Sequence, residues 1–420
     1  MTKTIYDLVV VGGGSSGMMT AIVAARKGAK VALVEKNKRL GEKLSISGGG
    51  RCNITNAEFD LRTLLENYGN AEKFLYSAFT EFGVQDTIDF FAQLNLPIKV
   101  EQRNRAFPVS EKAEDVVDVL TQELQKLNVD IITNCSVTKI NHSKNTVFSV
   151  QCGYRIIKGA KYVLASGGTS RPETGSTGDG FGWLEQLGHK VKLPTPSITP
   201  LKTKESWVSR VSGVSVKNAR ITFFCDEIRA FRIDGDILFT HFGISGPIIL
   251  NNAYKVAELL EQGLVSARID CMPNTEPKQL DAQIVELLHQ NGTKQIRNVI
   301  KLIVPVGLAP LFKEILKNKI NLDITASELS KNDRKIIVDT IKQLPLTIDS
   351  LMGAEKAVVA DGGVDLKEID TRTFKSNIID NLFVTGDLLN IVRPSGGYSL
   401  QLCWTSGYIA GNSYTSNNET

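Results

Sequence analysis

The residues best equipped for chemistry crowd into one short run, "KLSISGGGRCNITN", Lys43 to Asn56. Gly48, Gly49 and Gly50 stand directly before Arg51, Cys52 and Asn53. Consecutive glycines lose more conformational entropy on folding than other residues, so a chain keeps them where φ must be positive or where a ligand touches the main chain. The tips behind them are a permanently charged planar fork of donors, a thiol that is mostly protonated at neutral pH, and an amide. Bare backbone beside such tips suits a ligand that lies along the main chain and reacts at its edge.

Tyr6 to Arg26, "YDLVVVGGGSSGMMTAIVAAR", supplies the first positioning elements: an apolar strand, a glycine turn and an alanine-rich helix. "DLVVV" is apolar throughout, as a strand buried on both faces of a parallel sheet should be. Gly12, Gly14 and Gly17 fit the G-x-G-x-x-G pattern at the turn, with Ser16 inside it. There the first glycine makes the turn, the second admits a pyrophosphate, and the third lets helix and strand close. A second strand, "AKVALVE", ends at Glu35, 18 residues after Gly17, where an acid holds ribose hydroxyls. Lys36 follows at the same strand end, and Lys43 is expected to reach the pyrophosphate.

The far end of the chain repeats this logic. In "NLFVTGDLLNIVRPSGGYSLQLCWTSGYIAG", Asn381 to Gly411, an apolar strand precedes Gly386 and Asp387, and Gly396, Gly397, Tyr398 and Ser399 open a helix. Such a helix can aim its N-terminal N–H groups at an electron-rich edge such as the pyrimidine of a flavin, with Asp387 toward a ribityl or phosphate-side hydroxyl. In the middle, "AKYVLASGGTSRPETGSTGDGF" is a third strand running into glycines, with Ser166 and Gly167 at its end. Three such strands imply one sheet built from distant segments around one extended cofactor, which favours FAD over NAD. With no second complete G-x-G-x-x-G, NAD(P)H is expected as a transient electron donor.

Length and composition limit the rest. A chain of 420 residues suggests two or three domains, and 42% hydrophobic with 22% charged residues describes a globular protein. A net charge of +4 does not by itself call for nucleic acid. Six cysteines, never closer than 17 residues, form no CxxC redox or zinc pair and suggest a reducing compartment. The N-terminal apolar run is too short for a signal peptide, and no run reaches the ~20 residues of a membrane helix, so a cytoplasmic protein without membrane or metal is expected. No G-x-S-x-G elbow supports a Ser-His-Asp hydrolase.

Along the chain, 1–192 with 350–420 reads as the cofactor domain, 193–274 with 346–349 as a small β-rich domain, and 275–345 as a helical insertion. The proline-dense "LPTPSITPL" marks the first boundary. Between Thr275 and Pro345 there are 11 Lys/Arg against 8 Asp/Glu, so the basic excess is local. "SEKAEDVVDVLTQELQKLN" predicts an amphipathic helix capped by Ser110, and "VDIITNCSVTKI" a returning strand, with Val137 as a backbone contact. His241 alone among four histidines sits in a distinctive string, and His142, His189 and His289 are expected at the surface.

Taken together, "KLSISGGGRCNITN", "FTHFGISGPIIL", "VVADGGV" (Val358 to Val364) and "SGGYSLQ" resemble, in order and spacing, the BaiN/RdsA family of FAD-dependent flavoproteins. The resemblance implies an α/β fold: an FAD-binding Rossmann-like domain of the glutathione-reductase type, interrupted by a β-barrel-like domain with a helical insertion. It implies reduction of conjugated C=C bonds, either an enone of a bile-acid intermediate or uridine in large-subunit ribosomal RNA. Asp387 stands where the family has Glu, Asp361 where it has Ala, and Ser399 where it has Asn.

Both substrate classes join a double bond to a carbonyl, so charge develops on an oxygen and a carbon must be protonated. Arg51 suits the first need, Cys52 the second, and His241 is the alternative acid. The ranked expectations are a uridine reductase that meets ribosomal RNA through the basic 275–345 segment, then a small-enone reductase, then a non-catalytic flavoprotein binding factor.

Overall fold

The computed structural model describes residues 5–352 and 359–414, apart from the side chains at 195–198 and 359–361. Val358 and the Asp361 side chain, named above, therefore lie outside the described residues. The chain divides into two compact units, Met1–Thr195 with Val358–Thr420, and Pro196–Ala357.

In the first unit, strand β1 (Ile5–Val11) leads through the glycine turn into helix α1 (Ser15–Arg26) and back into strand β2 (Val31–Val34). β1 runs parallel to β2, pairing Leu8 with Val31, and parallel to the strand Arg155–Leu164, pairing Val10 with Val163. The strand Leu382–Val384 runs parallel along Tyr162–Leu164, and Asp130–Ile132 runs parallel to β2. One sheet thus gathers strands from the start, middle and end of the chain, as the glycine-ended apolar runs led us to expect. All four residues of β2 are buried, which is why the run carries no polar alternation. Gly17 lets α1 close onto this layer, since a Cβ there would stand 1.8 Å from the Gly12 carbonyl oxygen.

Four local features differ from the sequence reading. The expected Ser110 helix begins at Ala113, with Lys112 at the cap position and no side-chain cap. Glu111 has φ +58°, outside helical space, and its carboxylate is taken by Lys99 and Arg51. The run from Val129 to Ile140 is two strands, Asp130–Ile132 and Lys139–Ser143, broken where Asn134 adopts φ +53°. That break carries Cys135 to Cys152, and the two form a disulfide, so not all six thiols are free. Last, His189 is buried rather than exposed, with Nδ1 3.0 Å from Glu368 Oε2 and Nε2 2.9 Å from Ser376 Oγ.

The second unit is a closed antiparallel barrel of six strands, in the order Leu201–Thr203, Gly243–Ser245, Ile228–Phe239, Ser215–Cys225, Val265–Asp270 and Leu344–Leu351. The long hairpin turns at Asp226 and Glu227, both with positive φ, as a tight hairpin needs. Ala219, Ile221 and Phe223 point inward at strand period and are fully buried. Between the last two barrel strands lie the helices Pro277–Gln290, Ile296–Ile303, Ala309–Leu316 and Lys331–Lys342, which share one apolar cluster with the barrel interior.

Candidate cofactor site

A cavity of about 390 Å³ opens in the first unit, lined by the β1–α1 turn, the end of β2, Lys43, Leu44, Ile46 to Gly49, Asn53, Cys135 to Val137, Ala165 to Gly167, and Pro394 to Gly397. The ends of the parallel strands and the openings of two helices converge on it, which is the place where doubly wound sheets hold ligands.

At one end the Glu35 carboxylate accepts the N–H of Gly13 at 2.7 Å and of Asn37 at 2.8 Å. Those bonds fix a buried acid at the wall and leave further lone pairs on both oxygens. A Cβ at Gly14 would meet nothing within 4 Å, so the helix α1 opens with bare main chain against the cavity. Lys36 is tied to Thr177 at 2.5 Å and Asp179 at 2.8 Å. Val137 follows the disulfide-held loop, whose Cys135 N–H donates to the Glu35 carbonyl at 2.9 Å.

At the other end Gly48 and Gly49 adopt φ +56° and +69°, the left-handed region that glycine enters without strain. The run turns tightly there, Gly48 and Gly49 facing the cavity with Asn53. Asp387, Gly396, Gly397 and Ser399 form the facing wall. Lys43 Nζ donates to Asp387 Oδ2 at 2.9 Å, so the lysine expected at a pyrophosphate is paired with the acid expected at a hydroxyl. Burial on its own would raise the Asp387 carboxyl, but Lys43 and Arg393 outweigh it and hold it down to about 2. Ser16, Ser166 and Gly167 also line the space.

Several expected site residues stand elsewhere. Cys52 is 0% exposed, lies in an apolar cluster with Ile54 and Phe91, and does not line the cavity. This corrects its expected place facing a substrate: a turn with φ +57° at Cys52 directs the thiol into the core, and burial pushes it up to about 12. Arg51 does not line the cavity either; its Nη2 donates to Glu101 and Glu111, and its guanidinium lies 4.1 Å over the Phe107 ring. Gly17, Gly50, Gly386 and Tyr398 are likewise absent from the lining, Gly386 donating its N–H to Ser406 at 3.0 Å. His241 belongs to the second unit, exposed, with its ring edge-on to Phe242.

Sequence reasoning missed Arg393, whose buried guanidinium bonds Asp387, Ser399 and the Ile391 carbonyl. Its one signal was a cation in an otherwise apolar stretch. Cys403 also lines the cavity, its thiol pushed up to about 11 by burial and by Asp387.

The residues fit a flavin dinucleotide. Asn53 Oδ1 and Ser166 Oγ are buried at the cavity without hydrogen-bond partners, two polar atoms that a ligand rich in N–H and O–H groups can satisfy. Among the described residues no group of His, Cys, Asp and Glu could hold a metal ion, and no helix is long and apolar enough to cross a membrane.

Comparison with known proteins agrees with this geometry. The family model described as HI0933-like protein Rossmann domain matches residues 6–413. A 3-dehydro-bile acid delta(4,6)-reductase of Clostridium scindens is 29% identical over 405 residues, 96% of this chain and 97% of the relative. A ribosomal RNA dihydrouridine synthase of Haemophilus influenzae is 28% identical over 407 residues, 95% of this chain and 96% of the relative. Among solved structures, the 3-ketosteroid delta1-dehydrogenase from Sterolibacterium denitrificans in complex with 1,4-androstadiene-3,17-dione shares the fold, with TM-score 0.54 at 13% identity over 98% of this chain and 99% of that one.

Proposed function

The chain belongs to the HI0933-like Rossmann-domain family, and from that premise we propose that it is an FAD-dependent oxidoreductase that reduces a conjugated C=C bond, its substrate being uridine in large-subunit ribosomal RNA. The observation that carries the reading is the first-unit cavity with two unsatisfied buried polar atoms and a glycine-opened helix at each end.

Bound FAD supplies the hydride for this reaction. The chain's own residues do the holding. Glu35 would accept from ribose hydroxyls, the bare turn at Gly13 and Gly14 would receive the pyrophosphate at the α1 N-terminus, and Asp387 would accept from a hydroxyl of the linking chain. Gly396 and Gly397 would bring the opening of the helix Tyr398–Asn412 to the pyrimidine edge of a bound flavin, and the unpartnered Asn53 Oδ1 would accept an N–H. NAD(P)H, meeting the site transiently, feeds the electrons.

In uracil the C5=C6 bond is conjugated to C4=O, and in a steroid enone the alkene is conjugated to a ketone, so one site chemistry serves both. The name of the Haemophilus relative supports uridine, and so does charge in the second unit. Arg229 and Arg232, on the barrel strand Ile228–Phe239, are exposed, and their side chains make no hydrogen bond among the described residues, although Arg232 helps lower the pKa of Asp234; exposed cations of this kind suit phosphates. In the 275–345 segment, Arg297, Lys317, Arg334 and Lys342 are already paired with acids, which leaves its remaining lysines to act there.

The test is mass-spectrometric mapping of dihydrouridine in large-subunit rRNA from a strain lacking this chain. Loss of one dihydrouridine, restored by the gene in trans, is expected. Persistence of every dihydrouridine, together with reduction of a steroid enone by the purified protein, would move the assignment to the small-molecule class, for which the 29% identical bile-acid reductase is the specific pointer.

A further inference from the structure

Arg393 is a cation almost sealed from solvent, its side chain 1% exposed, and it does not itself line the cavity. Each of its three nitrogens has a partner. Nε donates to Ser399 Oγ at 3.0 Å, Nη1 to the Ile391 carbonyl at 2.6 Å, and Nη2 to Asp387 Oδ1. Two of those partners, Ser399 and Asp387, are cavity wall. A buried guanidinium is tolerable only when so engaged, and removing one member of such a cluster leaves the others uncompensated.

Two consequences follow from the bond directions. Ser399 Oγ accepts from Arg393, and its own O–H has no acceptor among the described residues, so that proton is free to point into the cavity. Asp387 is held from both sides, by Arg393 at Oδ1 and by Lys43 at Oδ2, so its plane cannot swing. Lys43 and Arg393 against Asp387 also leave the cluster with one net positive charge, Arg393 sealed at 1% exposure and Lys43 31% exposed at the cavity.

On the reading that FAD occupies this cavity, we propose that Arg393 is the positioning residue of the flavin wall: it turns Ser399 into a donor toward the ligand, locks Asp387 as an acceptor, and adds a buried positive charge that favours the electron-rich reduced flavin. Neither its charge nor its place was needed for the fold assignment, because it reaches the ligand only through the other two residues.

The experiment compares wild type, Arg393→Lys, Arg393→Met and Ser399→Ala, each with FAD titrated by flavin fluorescence and the midpoint potential of bound flavin measured by equilibrium dye reduction. Arg393→Met is expected to bind FAD about tenfold more weakly or worse and to shift the potential negative, because it removes one partner of a buried charge pair. Arg393→Lys keeps the charge but not the fork, so it should recover the potential more fully than the affinity. Ser399→Ala should lose affinity with the potential nearly unmoved. A folded Arg393→Met with wild-type affinity and potential overturns the proposal, and if that variant does not fold, a Ser399→Ala protein with unchanged affinity overturns it instead. A wild-type chain that takes up no FAD at all overturns the underlying flavin reading together with this inference, an outcome distinct from either of the others.

Discussion

The carboxylate of Glu35 and the main-chain N–H of Gly13 meet at 2.7 Å, joining the end of one strand to the glycine turn at the end of its neighbour. That bond makes Glu35 serve twice, as the brace of the turn and as an acceptor facing the cavity. Glu35→Ala removes charge-assisted bonds of about 1.5–3 kcal/mol each, so FAD affinity should fall roughly tenfold to a hundredfold. Fluorescence titration of the apoprotein checks this, with Glu35→Gln expected between the two.

Cys52 next to Arg51 shows how two adjacent residues can part company. Because the Cys52 thiol is sealed in the apolar cluster and holds its proton up to about 12, Cys52→Ala should keep FAD binding and near-wild-type turnover while lowering stability by roughly 1 kcal/mol. Steady-state kinetics beside a urea melt separates the two effects. A collapse of turnover with stability intact would return the thiol to the chemistry.

Gly17 has no room for a side chain, since a Cβ would meet the Gly12 carbonyl oxygen at 1.8 Å. Gly17→Ala must therefore push α1 away from β1, at about 3 kcal/mol or more, and deform the turn that opens on the cavity. A lowered thermal midpoint together with loss of bound flavin is the expected pair of readouts.

His189 gives the fold a pH dependence of known sign. Burial lowers its pKa below the usual 6.5, outweighing the raising effect of Glu368. The unfolded chain therefore takes up a proton that the native chain refuses. Its stabilising contribution is complete above pH 6.5 and is lost as the pH falls below that value, with a slope of at most about 1.4 kcal/mol per pH unit. Urea unfolding at pH 7.5 and 5.5 should show the fall, and His189→Asn, if folded, should flatten it.

Much of this architecture was legible because burial on both faces writes a simple signature. β1, the strand ending at Leu164 and the strand Leu382–Val384 are apolar at the ends that lead into glycine turns, and three such runs at distant places leave one sheet as the economical solution. The turn spacing at Gly12, Gly14 and Gly17 and the acid at Glu35 carried their own geometry. What stayed hidden depended on contacts between distant segments. Arg393 has meaning only beside Asp387, Ser399 and, through Asp387, Lys43. The Cys135 to Cys152 pairing depends on a strand break at Asn134 that a β-rich pattern does not announce. Arg51 and Cys52 were misplaced for a related reason, because positive φ at Gly48, Gly49, Gly50 and Cys52 removes any periodic rule for where the side chains point.

Reduction of a conjugated C=C bond in uridine with flavin-borne electrons is the activity proposed for this chain. The most direct test is to incubate the purified, FAD-loaded protein and NAD(P)H with large-subunit rRNA lacking dihydrouridine, and to count by mass spectrometry the uridines that gain two hydrogens. Dihydrouridine at one defined position, dependent on both FAD and the reductant, is expected. Flavin that is reduced and reoxidised by a steroid enone, while the rRNA gains no dihydrouridine under the same conditions, would contradict it.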